Sequence, residues 1–391
     1  MFRVFKWLMS SCVVLMLTVS LISCGGSDSP AATGTLNIKL TDAATSHQAV
    51  YVTIKEVHVH HETGGWETLP ELDLPRTVNL LELVNGVMLD LGIAELAAGH
   101  YNQMRLILED SEGSPGPQDP PDNNILGKPH PYFNYLVDAD DNEIPLKVPS
   151  GGNTGIKLVN GFVIVADQAN ELHLDFDAHR SIVEKGNGNY GLKPTIKVLE
   201  TVDNTVSGTV QEEDNTPLGG ALVSAQLYNP DAEDPRDAVF VESTTTTVAD
   251  TGAYTLFLPL NTYNIVATLE GVEGMEGYLP ACKAVEAEWY FDNDPVDLTL
   301  IAAVTDPITI SGTVSGLATD VEALLSIRQR NVNCGGSENV TIEVASKYVG
   351  NEADFEIILP AGTYDLVVSA KDKTTQVFDN ISTNVVQDID F

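Results

Sequence analysis

Three short stretches hold side chains whose types and spacing could do chemistry. His58, His60 and His61 form the densest histidine group, and strand alternation puts His58 and His60 on one face, where two imidazoles could share a zinc or copper ion. No third ligand stands nearby, and two exposed histidines beside a turn at Gly64-Gly65 are the plainer expectation. Asp138, Asp140, Asp141 and Glu143 have the composition that opens a calcium loop, because hard cations want several carboxylate oxygens converging within a short segment. An EF-hand loop needs glycine at its sixth position, where Glu143 stands, so a polar turn between Tyr135-Leu136-Val137 and Ile144-Pro145-Leu146 accounts for the cluster more simply. Asp175, His179 and Ser181 contain the types of a hydrolase triad but crowd into one strand end, with no Gly-x-Ser-x-Gly elbow around the serine. The expectation is a chain that is not an enzyme and needs no cofactor, with calcium the one ion left open.

Aromatic groups offer a second kind of chemistry, stacking on sugar rings, at Trp66, at Tyr132-Phe133-Tyr135 and at Trp289-Tyr290-Phe291. Strand aromatics usually serve a core. Tyr132, Phe133 and Tyr135 are therefore the leading ligand-stacking candidates, since they follow a Pro/Gly/Asp-rich excursion from Glu109 to Asn134 that reads as a long surface loop. Glu171, His173, Asp175 and Asp177 alternate with Leu172, Leu174 and Phe176, which reads as an outer strand with its polar face in solvent.

The elements that must carry these groups are strands. Period-two segments such as Thr35 to Leu40, Val50 to Ile54 and Tyr254 to Leu258 are separated by Gly, Pro, Asn and Asp, and no long helical period follows Ser23. One short helix is allowed between Leu80 and Leu96. At 391 residues several cores are needed, which gives an all-β chain of tandem β-sandwich domains. Internal repeats support this: Ser207-Gly208-Thr209-Val210 returns 104 residues later as Ser311-Gly312-Thr313-Val314. Leu258-Pro259-Leu260-Asn261-Thr262-Tyr263 returns 101 residues later as Leu359-Pro360-Ala361-Gly362-Thr363-Tyr364, with a fainter copy at Leu96-Ala97-Ala98-Gly99-His100-Tyr101. Gly99, Asn261 and Gly362 share a slot, which suggests a turn residue with positive φ.

Arg3 and Lys6 precede an apolar run from Val13 to Ile22, the form of a secretory leader. Its end, Leu21-Ile22-Ser23-Cys24, looks like a lipobox, which implies cleavage before Cys24 and lipidation there, and Gly25 after the cysteine favours the outer membrane. The expected divisions are a leader over 1–23, a flexible tether over 24–33, and domains over 34–201, 202–304 and 305–391. Cys282 and Cys334 are then left in an oxidising compartment, either bridged across two domains or as separate, partly buried thiols. The formal net charge of −36 repels nucleic acid and anionic lipid and keeps the chain soluble.

Gly208, Val210, Pro217, Ala221 and Val223, followed by Asp250, Gly252, Tyr254, Leu258, Pro259 and Tyr263, resemble the carboxypeptidase regulatory-like domain, a transthyretin-type sandwich in the carbohydrate-binding-like fold group. The third domain keeps the end of that pattern, Phe355 to Val367. Gly34 to Ala43, Arg76 to Gly86, Leu146 to Leu158, Leu174 to Val183 and Tyr190 to Val198 resemble domain of unknown function 4382, found near the N-terminus of envelope lipoproteins. The resemblance implies location and architecture and brings no chemistry with it. The expectation is a membrane-anchored binding or scaffold protein facing a glycan or an envelope protein. The rivals are a divalent-metal-dependent adhesin or enzyme using the His58 or Asp138 group, and a purely structural spacer.

Overall fold

The computed structural model describes residues 32–43, 47–109, 123–124, 132–148, 156–158, 161–185, 189–199, 204–269, 277–287, 295–318 and 321–391. The expected leader, Cys24, most of the expected tether, most of the Glu109 to Asn134 excursion and the Trp289 to Phe291 group lie outside these residues. The described chain is almost entirely strand, as its period-two pattern requires, and its buried apolar residues form three cores.

In the first sandwich, Thr33–Ala43 runs parallel to Ala169–Asp177 and antiparallel to Leu89–Ala97, with Ile196–Leu199 at one edge. Leu36, Ile38 and Leu40 point inward from the central strand onto the second sheet, where Ala49–His61 pairs with Gly99–Leu108 and Tyr135–Val137. The second sandwich packs Thr205–Gln211 and Ala253–Phe257 against Val239–Thr246, Leu222–Tyr228, Asn261–Thr268 and Ala281–Ala287. The third packs Ile308–Ser315 and Ala353–Leu359 against Val340–Gly350, Glu322–Val332, Tyr364–Ala370 and Gln376–Ile381. The one short helix allowed between Leu80 and Leu96 is a 3-10 turn at Leu80–Glu82, and the segment then gives way to the strand Leu89–Ala97, which alternates about a core and belongs to the sheet.

Two devices recur in all three sandwiches. Where the first strand carries Gly-Thr, a later segment crosses so closely that a Cβ would sit 2.3 Å from the Val165 carbonyl at Gly34, 2.2 Å from that of Val296 at Gly208 and 2.1 Å from that of Gln387 at Gly312. The residue before each glycine accepts a bond from the crossing segment: Asp167 N–H to Thr33 O, Val296 N–H to Ser207 O and Gln387 N–H to Ser311 O. The second device is a tyrosine that returns onto its own turn. Tyr101, Tyr263 and Tyr364, all buried, donate their hydroxyls to the carbonyls of Ala97, Pro259 and Pro360, four residues upstream in each case. Burial pushes the Tyr263 and Tyr364 phenols up to about 12.

The glycine slot in this second device meets the expected positive φ at Gly99, whose φ is 152°, and at neither of the other two positions. Asn261 and Gly362 lie outside the positive-φ residues. At the two glycines there is also a steric limit, which Asn261 does not share: a Cβ at Gly362 would stand 2.7 Å from the Tyr364 hydroxyl, and one at Gly99 2.4 Å from His61 Nε2. Tyr263→Phe and Tyr364→Phe should each lower stability by about 1 kcal/mol, read as a shift of the denaturant midpoint at constant m. Gly208→Ala should cost several times more, since the Val296 backbone has to move.

Candidate functional site

The outer face of the strand Ala49–His61 gathers the first sandwich's exposed chemistry. Gly65–Thr68 pairs on one side, setting Trp66 opposite His60, and Gly99–Leu108 pairs on the other, setting Arg105 opposite His58. Trp66 keeps 39% of its surface open. The Arg105 guanidinium lies 3.9 Å over the indole centroid, and the His60 ring meets it edge-on at 5.0 Å. His58 Nε2 contacts Glu56 Oε2 at 2.7 Å, and His60 Nδ1 contacts Asn102 Oδ1 at 2.9 Å. The two imidazoles share a face but have these separate partners. Among the described residues no group of three or more His, Cys, Asp or Glu is placed to hold a metal ion.

The Asp138 cluster is not brought to this face. It follows Tyr135–Val137, which pairs with the start of Ala49–His61, so about ten residues, or roughly 30 Å of strand, separate it from His58. The Asp138 carboxylate accepts from the backbone N–H groups of Asp140 and Asn142 and from the Asn142 side chain, at 2.9, 2.8 and 3.0 Å. The Asn142 bonds and that of Asp140 hold its carboxyl below the usual range. It closes the hairpin to Glu143–Lys147.

Tyr135 is a core residue, 1% exposed and stacked on Tyr51 at 4.6 Å, which removes it from the ligand-stacking set. Tyr132 and Phe133 are half-buried before that strand, and the Phe133 carbonyl accepts from the Thr53 hydroxyl. Asp175, His179 and Ser181 do not assemble into a triad. Ser181 Oγ donates to the Asp177 carbonyl, Asp175 accepts from Ser243 Oγ, and the buried His179 Nε2 has no hydrogen-bond partner among the described residues.

The polar face from Glu171 to Asp177 is in solvent only at its start, where Glu171 is exposed. His173 and Asp175 are 3% and 7% exposed, and at Asp175 the covering element is Val239–Thr246 of the second sandwich. Lys197, on the neighbouring strand, reaches the Val241 and Glu242 carbonyls and the Glu242 carboxylate, and its ammonium lies 4.7 Å over the Phe240 ring. Burial depresses the Lys197 pKa, against the pull of Glu242 and Asp175.

Glu343 joins the three sandwiches. Its carboxylate receives Arg180 of the first sandwich and Ser326 of the third, and its backbone N–H and carbonyl bond the Gln226 side chain of the second, both at 2.8 Å. Burial alone would raise the Glu343 pKa, but Arg180, Ser326 and Arg328 outweigh it and hold the carboxyl below its ordinary value. Arg328 donates to Ser326 Oγ and to the carbonyls of Pro235 and Arg236 in the second sandwich. Beside this hub, Ile182–Lys185 pairs parallel with Val340–Gly350, so one sheet runs through the first and third sandwiches. Cys282 and Cys334 form a disulfide between the second and third, and Ala284 N–H donates to the Cys334 carbonyl there.

Glu343→Ala should destabilise the intact chain by about 3 kcal/mol, because it removes the nearer carboxylate from the buried Arg180 and leaves it only Asp177, at 4.0 Å. The double replacement Arg180→Met, Glu343→Leu should cost far less than the single one, and a pair of chemical denaturation curves decides this.

No curated protein matches the chain. Among solved structures, the Bacillus anthracis TIE protein is 13% identical, with 92% of this chain and 51% of that chain covered and a TM-score of 0.19. The chain thus spans about half the length of that protein. The shaft pilin SpaA from Lactobacillus rhamnosus GG is 14% identical over 48% of this chain and 96% of its own, at a TM-score of 0.20. A Streptococcal ancillary pilin is 12% identical over 92% and 98%, at 0.19. Residues 33–194, the greater part of the first sandwich, match the family described as domain of unknown function (DUF4382).

Proposed function

We propose that this chain is a non-enzymatic cell-envelope binding or scaffold protein, anchored through lipid on Cys24, whose interlocked sandwiches hold the outer face of the first toward extracellular glycan. The observation that carries the reading is the three-way junction at Glu343: buried charge, a shared sheet and a disulfide fix the sandwiches against one another, which suits a presenting scaffold. The same junction absorbs the triad-like residues around Asp175 into structure. A half-open indole held flat by an arginine, beside hydrogen-bonding imidazoles, offers the apolar face and polar rim that a sugar ring requires.

The second and third sandwiches, read from their sequence pattern as carboxypeptidase regulatory-like repeats, serve in this reading as a rigid mount. A glycan array on the intact chain, with Trp66→Ala alongside, tests the reading. Saturable binding that falls at least tenfold in Trp66→Ala is the expected result. Saturable binding unchanged by Trp66→Ala contradicts the assignment of the face, and no glycan binding together with no recovered envelope partner leaves a structural spacer.

A further inference from the structure

We propose that the contact between the first and second sandwiches is a proton-gated joint, tightest while the Asp175 carboxyl is protonated and loosened when it ionises. Asp175 lies on the face of Ala169–Asp177 that Val239–Thr246 covers, with Ser243 Oγ 3.1 Å from its Oδ2. The charged groups around it offer little relief. His173 and Asp177 share its strand, Lys197 stands on Ile196–Leu199, and Glu242 comes from the second sandwich. Thr41, its register neighbour on Thr33–Ala43, directs its hydroxyl to the Leu83 and Val87 carbonyls instead. Lys197 is the cation that acts on Asp175, and its ammonium already serves the Val241 carbonyl and the carbonyl and carboxylate of Glu242. Burial first, and then the Asp177 charge, push the Asp175 carboxyl up to about 7, against the smaller pull of Lys197 and Ser243.

The sign follows from proton counting. In an opened joint the carboxyl meets water and ionises near its ordinary value of 3.8, while in the closed joint it keeps its proton to about 7. Between those values closing takes up one proton, so the opening equilibrium grows by up to tenfold per pH unit and levels off above about pH 7. The joint is at its most stable in acid and loses that stability as pH rises toward neutrality.

The Asn85 amide reports on this joint, because its N–H, in the first sandwich, donates to Thr245 Oγ1 of the second at 3.2 Å. Hydrogen exchange at Asn85 in the intact chain, corrected for intrinsic rates and followed from pH 5 to 8, is the test. Protection falling by up to tenfold per unit to about pH 7 and then levelling is expected, with Asp175→Asn, which keeps the shape without the titration, removing the dependence. Constant protection in the native chain, or the same fall in Asp175→Asn, overturns the proposal. Should Asp175→Asn not fold, a carbon-13 titration of the native chain decides: an Asp175 carboxyl ionising in the ordinary carboxylate range overturns the proposal, and one ionising near neutrality supports it.

Discussion

A buried charge must be paired or it unfolds its surroundings, and the Arg180–Glu343 pair is where this constraint acts on the whole molecule. Each partner comes from a different sandwich. Glu343 is fixed further by Gln226 of the second sandwich, whose amide meets both backbone polar groups of residue 343 as a neighbouring strand would. Moving any one sandwich away would leave either a guanidinium, a carboxylate or a backbone pair without its partner. The junction therefore behaves as a lock whose parts fail together.

The third sandwich does most of the locking. It extends the first sandwich's sheet through Val183↔Tyr348 and Glu184↔Val349, and its core includes Val266 of the second with Cys282 and Ala284 packed against it. Ion pairs cross in both directions, Lys193 to Glu322 and Lys347 to Glu184. The pairing also covers two strand edges that would otherwise be open to other chains. Between the first and second sandwiches the contact is of another kind, a polar strand face against a serine- and threonine-rich strand, and it buries groups that titrate.

Much of the fold could be read from the sequence because it is local. Alternation revealed the strands, and the spacing of the Leu258 to Tyr263 and Leu359 to Tyr364 motifs revealed a repeated turn, since tyrosine and its acceptor carbonyl are four residues apart. The positive φ expected of that turn's glycine slot holds at Gly99 and fails at Gly362, because composition cannot distinguish a residue chosen for positive φ from one chosen to make room for a ring. The polar face of Ala169–Asp177 departs from expectation at His173 and Asp175 for a related reason: period two separates two faces but does not say what covers the second. The junction itself was not legible, since Arg180 and Glu343 lie 163 residues apart and Gln226 and Glu343 117 apart, with no local pattern marking either pair. Of the candidate site, Trp66 and the histidines were visible as types, whereas the arginine that orders the indole came only from strand register.

The measurement closest to the central claim is calorimetry of the intact chain under oxidising conditions. Three sandwiches locked at Glu343 should melt in one transition whose calorimetric and van't Hoff enthalpies agree, at a size where independent domains would separate. Two or three resolved transitions, each with the enthalpy of one sandwich, would contradict the account and make the junction an incidental contact between independent domains.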